Sequence, residues 1–157
     1  MEAEAGFFGR ALLDDAAVIG WMQVAPAGLL ARARSLPAGP PSADAYVLTC
    51  SYFYDDEYLH GFQRLLQEVE ASLKHRKVAA LEAFGLRRAR PEGAFRAYLR
   101  ELNLFHPDVL EGSGFRRVRT VGEITRFRLD LAALVEAPRQ SAAWKRIEAP
   151  AGAQPVC

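Results

Sequence analysis

Few side chains in this sequence can carry out a reaction, and they are scattered. Glu82 stands in the middle of an apolar run, residues 78–84 (VAALEAF). A carboxyl kept from water holds its proton to higher pH, so Glu82 can be read as a general base facing a cleft. It reads equally well as a carboxylate paired with a nearby arginine. Tyr98 offers a phenol as proton donor if its helix borders the cleft, although core packing is the simpler reading. His60 precedes Gly61, where a cationic imidazole would touch an anion. The alternative is an exposed loop histidine. Tyr52 and Tyr54 read as packing residues, and His106 before Pro107 as a helix start. Cys50 reads as an inert buried thiol and Cys157 as an exposed tail residue. No cluster of His, Cys, Asp and Glu has metal-site spacing. From Arg87 to Arg128 there are ten arginines against five carboxylates. Such a stretch suits a phosphate, an acidic partner or nucleic acid, or is a solvated, partly paired surface. Aromatic residues are not interleaved there, which argues against single-stranded nucleic acid.

Those residues must be positioned by a small set of elements. Two apolar runs, residues 7–13 and 17–24, flank Asp14-Asp15-Ala16 and read as a β-hairpin. A short helix over 29–34 is expected before the proline-rich connector at 36–42. Residues 46–54 (YVLTCSYFY) are apolar on both faces, the pattern of a central strand covered on both sides. From about Gly61 to Lys74 an amphipathic helix places Phe62, Leu65, Leu66, Val69 and Leu73 on one face. Its other face carries Arg64, Gln67, Glu68, Glu70 and Lys74. Strand, helix and the second strand at 78–84 make a right-handed βαβ unit with parallel strands. A loop at 86–93, a helix over 94–104, a short helix at 106–111 and a last hairpin around Gly122-Glu123 complete the pattern.

The chain has 157 residues and a formal net charge of +1. That is one domain, read over residues 6–135, with flexible tails at 1–5 and 137–157. Two cysteines exclude a disulfide framework and a cysteine-built zinc site. No stretch has the roughly 20 apolar residues of a membrane helix, and the acidic start is not a signal peptide. A cytoplasmic protein is the expectation.

The order of these elements resembles the GNAT acetyltransferase superfamily over about residues 6–133. Three stretches carry the resemblance. Residues 20–26 (GWMQVAP) look like the third strand of many members. Residues 48–53 (LTCSYF), continued by 57–66 (EYLHGFQRLL) and 81–84 (LEAF), are similar to the central strand, helix and strand. Residues 110–115 (LEGSGF), followed by 126–131 (RFRLDL), are similar to the family's closing short helix, Gly-Phe and final strands. The resemblance implies an α/β (α+β) fold: a mixed, twisted sheet with a central splayed parallel strand pair and two or three helices. It implies acetyl-CoA as co-substrate, held along Ser51, Tyr52 and Phe53. Its pyrophosphate would lie at a loop before the helix, against His60, Gly61, Phe62, Gln63 and Arg64. The family's loop reads Gln/Arg-x-x-Gly-x-Gly/Ala. Here Gly61 is kept, while Tyr58 and Gln63 replace the outer residues. Leu110 stands where the family often has a proton-donating tyrosine. A full-length member also begins with a strand and two helices, which would here be lost or supplied by a partner chain.

Two functions follow. One is N-acyl transfer from acetyl-CoA to a primary amine, with no assigned proton donor beyond the weak candidates Glu82 and Tyr98. The other is a non-catalytic GNAT-fold module acting through protein–protein contact, as a homodimer or with a partner chain. Nucleic-acid binding ranks behind both, and neither a metal nor a membrane is expected.

Overall fold

A computed structural model describes residues 8–53, 58–87 and 102–133. The expected tails, and the expected 94–104 helix as far as residue 101, lie outside the described residues. The elements run β1 (Phe8–Asp14), β2 (Ala17–Pro26), β3 (Ala45–Phe53), α1 (Tyr58–His75), β4 (Ala80–Leu86), β5 (Leu104–Phe105), α2 (Pro107–Gly112), β6 (Arg116–Val121) and β7 (Ile124–Asp130). They form one mixed seven-stranded sheet in the order β1-β2-β3-β4-β7-β6, with β5 added to β4. The pair β3–β4 is parallel; β1–β2, β2–β3, β4–β7 and β6–β7 are antiparallel.

Each turn is formed by residues suited to it. Asp15, at φ 51°, closes the first hairpin, and Gly122, at φ 59°, closes the last. Positive φ at such turns matches the twist of the flanking strands, and Gly and Asp tolerate it. His106 caps α2 by accepting a hydrogen bond at Nδ1 from the Asp108 N–H at 3.3 Å, with Pro107 at the first helical position. Gly114, at φ 89°, ends the same helix.

One face of the sheet is covered by α1. Phe62, Leu65, Leu66, Val69 and Leu73 are all buried, in one cluster with Met22, Val24, Leu48, Leu81 and Leu129. On the helix's other side Arg64 and Gln67 are exposed, but Glu68, Glu70 and Lys74 are half-buried. The helix begins at Tyr58, so residues 58–60, expected before it, lie in its first turn. The opposite face is covered by residues 27–44. There the expected helix over 29–34 is instead two 3-10 turns, Ala27–Leu29 and Arg32–Ser35, separated by Leu30 at φ −99°, ψ 80°. The break lets Leu30, Ala33, Leu36 and Ala38 all reach Val47, Phe84 and Ile124. No helix among the described residues is long and apolar enough to cross a membrane.

Candidate functional site

The parallel joint in the middle of the sheet is short. Ala45 pairs with Ala80, Tyr46 with Leu81 and Val47 with Glu82, and there the pairing stops. Beyond it β3 stays on β2 as far as Phe53, and β4 stays on β7 as far as Leu86. A bulge accounts for the parting. Val24 pairs with Leu48 but Gln23 with Cys50, leaving Thr49 as an extra residue. An extra residue bends its strand and increases its twist, so β3 turns away from β4 just past the last shared pair. Thr49 is buried, and its hydroxyl donates to the Gln23 carbonyl at 3.1 Å, tying the bulge to β2.

The narrow end of the resulting V is filled by the chain itself. β5 pairs with β4 at Phe84–Leu104 and Gly85–Phe105, and β7 already holds the other edge of β4. One residue earlier, the Asn103 N–H donates to the Thr49 carbonyl, and the Asn103 amide donates to Cys50 Sγ at 3.4 Å. Asn103 thus spans the gap between the parted strands. Neither it nor Thr49 is marked by any pattern in the sequence, because a bulge and a two-residue strand leave no periodicity. Leu104, expected at the end of a helix, is in strand β5. Cys50 is buried as expected, but it is disulfide-bonded and not a free thiol. Ser51, Tyr52 and Phe53 border the wide end, with Tyr52 48% exposed.

The start of α1 divides the residues grouped by sequence. His60, Gln63 and Arg64 are exposed, while Gly61 and Phe62 are buried. The exposed three are spaced i, i+3 and i+4, which places them on one side of the first turns, beside the positive end of the helix dipole. Phe62 points the other way, into the core, with its ring 6.1 Å from that of Phe105. Gly61 has a packing role. A Cβ there would stand 2.7 Å from the Phe53 ring, and one at Gly20 would stand 2.5 Å from it. The Phe53 ring is therefore held between β2 and α1 by two residues without side chains. Alanine at Gly61 gains about 1 kcal/mol in helix propensity and meets an overpacking cost of about 1–3 kcal/mol. Gly61→Ala is therefore expected to destabilise the protein, and to become stabilising in a Phe53→Ala background. Urea denaturation of the four proteins measures that change of sign, and an unchanged sign would remove Phe53 as the cause.

Glu82 is fully buried, on the face away from α1. Its carboxylate accepts from the Ser42 hydroxyl at 2.6 Å, the Ser42 N–H at 3.1 Å, Arg126 at 3.2 Å and Arg128 at 3.4 Å. Of its two readings from sequence, the geometry fits the carboxylate paired with arginine. Tyr98, the other weak catalytic candidate, lies outside the described residues. Arg128 also donates to both oxygens of Asp44 at 3.1 Å and to Asp130 at 2.6 Å. Hydrogen bonding to Arg128 holds both of those carboxyls below their usual range, and Arg116 adds to the effect on Asp130. Arg117 pairs with Glu111, and Arg119 donates to the Gly39 carbonyl at 3.3 Å. The arginines of β6 and β7 are thus largely engaged within the protein. No group of three or more His, Cys, Asp and Glu among the described residues could hold a metal.

No family model and no curated protein matches the chain. Solved structures do. The aminoglycoside 6'-N-acetyltransferase from Enterococcus faecium aligns with a TM-score of 0.56 at 10% identity, over 86% of this chain and 77% of that one. An aminoglycoside 6'-N-acetyltransferase complexed with coenzyme A aligns with a TM-score of 0.52 at 13% identity, over 86% and 76%. A Desulfovibrio desulfuricans protein assigned to the GNAT family as an acetyltransferase aligns with a TM-score of 0.52 at 16% identity, over 80% and 69%. The chain has the GNAT fold. Its mixed sheet with the parallel pair β3–β4 is that fold's central feature, as the sequence resemblance implied. Leu110, where the resemblance implies a tyrosine in many GNAT members, is fully buried in the core beneath α1.

Proposed function

We propose that this chain is a GNAT-type N-acetyltransferase that transfers an acetyl group from acetyl-CoA to a primary amine. The observation that carries the reading is the parting of β3 from β4 at a bulge, with His60, Gln63 and Arg64 exposed together at the start of the adjoining helix. Backbone amides of Ser51 to Phe53 would polarise the thioester carbonyl. The neutral amine then attacks the carbonyl carbon. A C–N bond forms, the C–S bond breaks, and the thiolate leaves with the electron pair. Phosphate groups suit the exposed side of the first turns, where Gln63 is exposed beside His60 and Arg64. The nitrogen, positively charged after the attack, loses one proton and the thiolate takes up one, so the products are the amide and the free thiol of coenzyme A.

Titration with acetyl-CoA tests the reading. Ligand at 100 times its dissociation constant is expected to stabilise the protein by about 2.7 kcal/mol, which raises Tm by several degrees. Arg64→Ala is expected to weaken binding about 10-fold or more, the worth of one charge-assisted hydrogen bond. No shift at millimolar acetyl-CoA would overturn the proposal.

A second reading, a non-catalytic GNAT-fold module acting by protein contact, is supported by Leu110. A buried leucine at that place supplies no proton. The sequence also sets Asp55, Asp56 and Glu57 immediately before α1, where negative charge competes with a phosphate for the same helix end.

A further inference from the structure

We infer that the Glu82 ion cluster is a brace that fixes the angle between β3 and β4, making Glu82 and Ser42 positioning residues for the opening between those strands. The placement is specific. Glu82 is the last residue of β4 that pairs with β3, so it sits at the vertex of the V. Its partner Ser42 lies three residues before the start of β3, and Asp44 immediately before it. The arginines come from β7, the strand on the far side of β4, where Arg128 is the register partner of Glu82 and Arg126 that of Phe84. The cluster therefore runs from the chain leading into β3, across β4, to β7.

The need for such a brace follows from the joint it crosses. β2 and β3 share seven register pairs and β4 and β7 share seven, but β3 and β4 share three. A three-pair parallel joint resists rotation poorly, since most of its residues are terminal to the ladder. On one face the rotation is limited by α1, whose Leu65, Leu66, Val69 and Leu73 pack with Leu48 of β3 and Leu81 of β4. On the other face the equivalent restraint at the vertex is ionic. Ser42 and Asp44 are tied to Glu82, Arg126 and Arg128 by five hydrogen bonds: Ser42 N–H and hydroxyl to Glu82, Arg126 to the Ser42 hydroxyl, and Arg128 to both oxygens of Asp44. Complete burial of Glu82 makes these bonds directional and costly to break, because each donor lost leaves charge without compensation.

The brace itself does not depend on the proposed acetyl transfer, although its expected effect on acetyl-CoA does. The test uses Glu82→Gln, which keeps the shape and removes the charge, and Ser42→Ala, which keeps the backbone donor and removes the hydroxyl. Phe115→Ala, at a buried residue between α2 and the edge strand β6, serves as a destabilised control away from the joint. Native-state hydrogen exchange is followed at residues 50–53 and 84–86, beyond the vertex, and in the β1–β2 hairpin. In both brace variants exchange beyond the vertex is expected to accelerate about 10-fold or more relative to the hairpin, the worth of one charge-assisted hydrogen bond. Phe115→Ala is expected to accelerate both regions alike. The dissociation constant for acetyl-CoA should rise about 10-fold in the same two variants. Uniform acceleration in the brace variants, matching the control, would overturn the inference. If Glu82→Gln does not fold, Ser42→Ala alone decides it. If the wild-type protein does not bind acetyl-CoA, the acetyltransferase proposal falls, and the exchange pattern still decides the brace.

Discussion

Replacing Phe62 by alanine is expected to remove about 3–5 kcal/mol of folding stability. Phe62 is completely buried, between the other apolar residues of α1 and the ring of Phe105. Truncation removes a large apolar surface and leaves a cavity walled by well-packed neighbours that collapse only in part. Domains of this size are stable by about 5–15 kcal/mol, so the loss is a large share of the total. Urea denaturation would show it as a fall in midpoint of about 1–3 M with the slope unchanged. Phe62→Leu, which keeps most of the volume, should lose much less. A small loss in Phe62→Ala would show that the ring is not a core element. Because Phe62 follows the glycine of the candidate pyrophosphate site, any fall in ligand binding in Phe62→Ala has to be read against the folded fraction.

Glu70→Gln is expected to stabilise the protein above pH 7 and to leave it unchanged below about pH 4.5. Glu70 borders the buried stripe of α1, with Leu66 four residues before it and Leu73 three residues after it. Burial there raises its pKa from 4.5 to about 7. Between those values the folded protein keeps a proton that the unfolded chain has released, so stability falls as pH rises through the interval. A shift of this size corresponds to at most about 3 kcal/mol above pH 7. Glutamine cannot ionise and should abolish that fall. Asp44 and Asp130 act in the opposite sense. Their depressed values stabilise the protein above the unfolded carboxylate range, and that contribution is lost as acid protonates them. Comparing wild type with Glu70→Gln at each pH cancels the two aspartates. Equal stability of the two proteins at pH 8 would refute the assignment.

Phe62 also shows how far the sequence could be read. The family resemblance groups it with the cofactor residues, while the 3.6-residue periodicity of α1 assigns its side chain to the core. Periodicity reports where a side chain points, and the structure agrees with it. The same signal located both apolar central strands and the two hairpins, because alternating or continuous apolar runs must be covered. It misplaced the start of α1 by three residues, since Gly61 reads as a break in any window. Only the position of Phe53 against the helix explains why glycine is used there. It failed at residues 29–34, where two short turns satisfy the same apolar spacing as one helix. Thr49, Asn103 and the partners of Glu82 are defined by residues far away in sequence, through register, bulge and cross-strand charge. Nothing local encodes them, so Glu82 read as well as a base as it did as an ion-pair member.

The three-pair joint between β3 and β4 also has a kinetic side. On either side of it, most strand pairs join neighbours in the chain: β1 with β2, and β6 with β7, each through a tight turn, and β2 with β3 across residues 27–44. The joint itself closes only when α1 has crossed the sheet, and β4 meets β7 only after a detour of nearly forty residues. Such closures come at a higher entropic cost than hairpins and are made later. The candidate site thus lies where the two long-range closures of the sheet, β3 with β4 and β4 with β7, meet on one strand. Its geometry depends on contacts that cost more chain entropy than the hairpins at the sheet's edges.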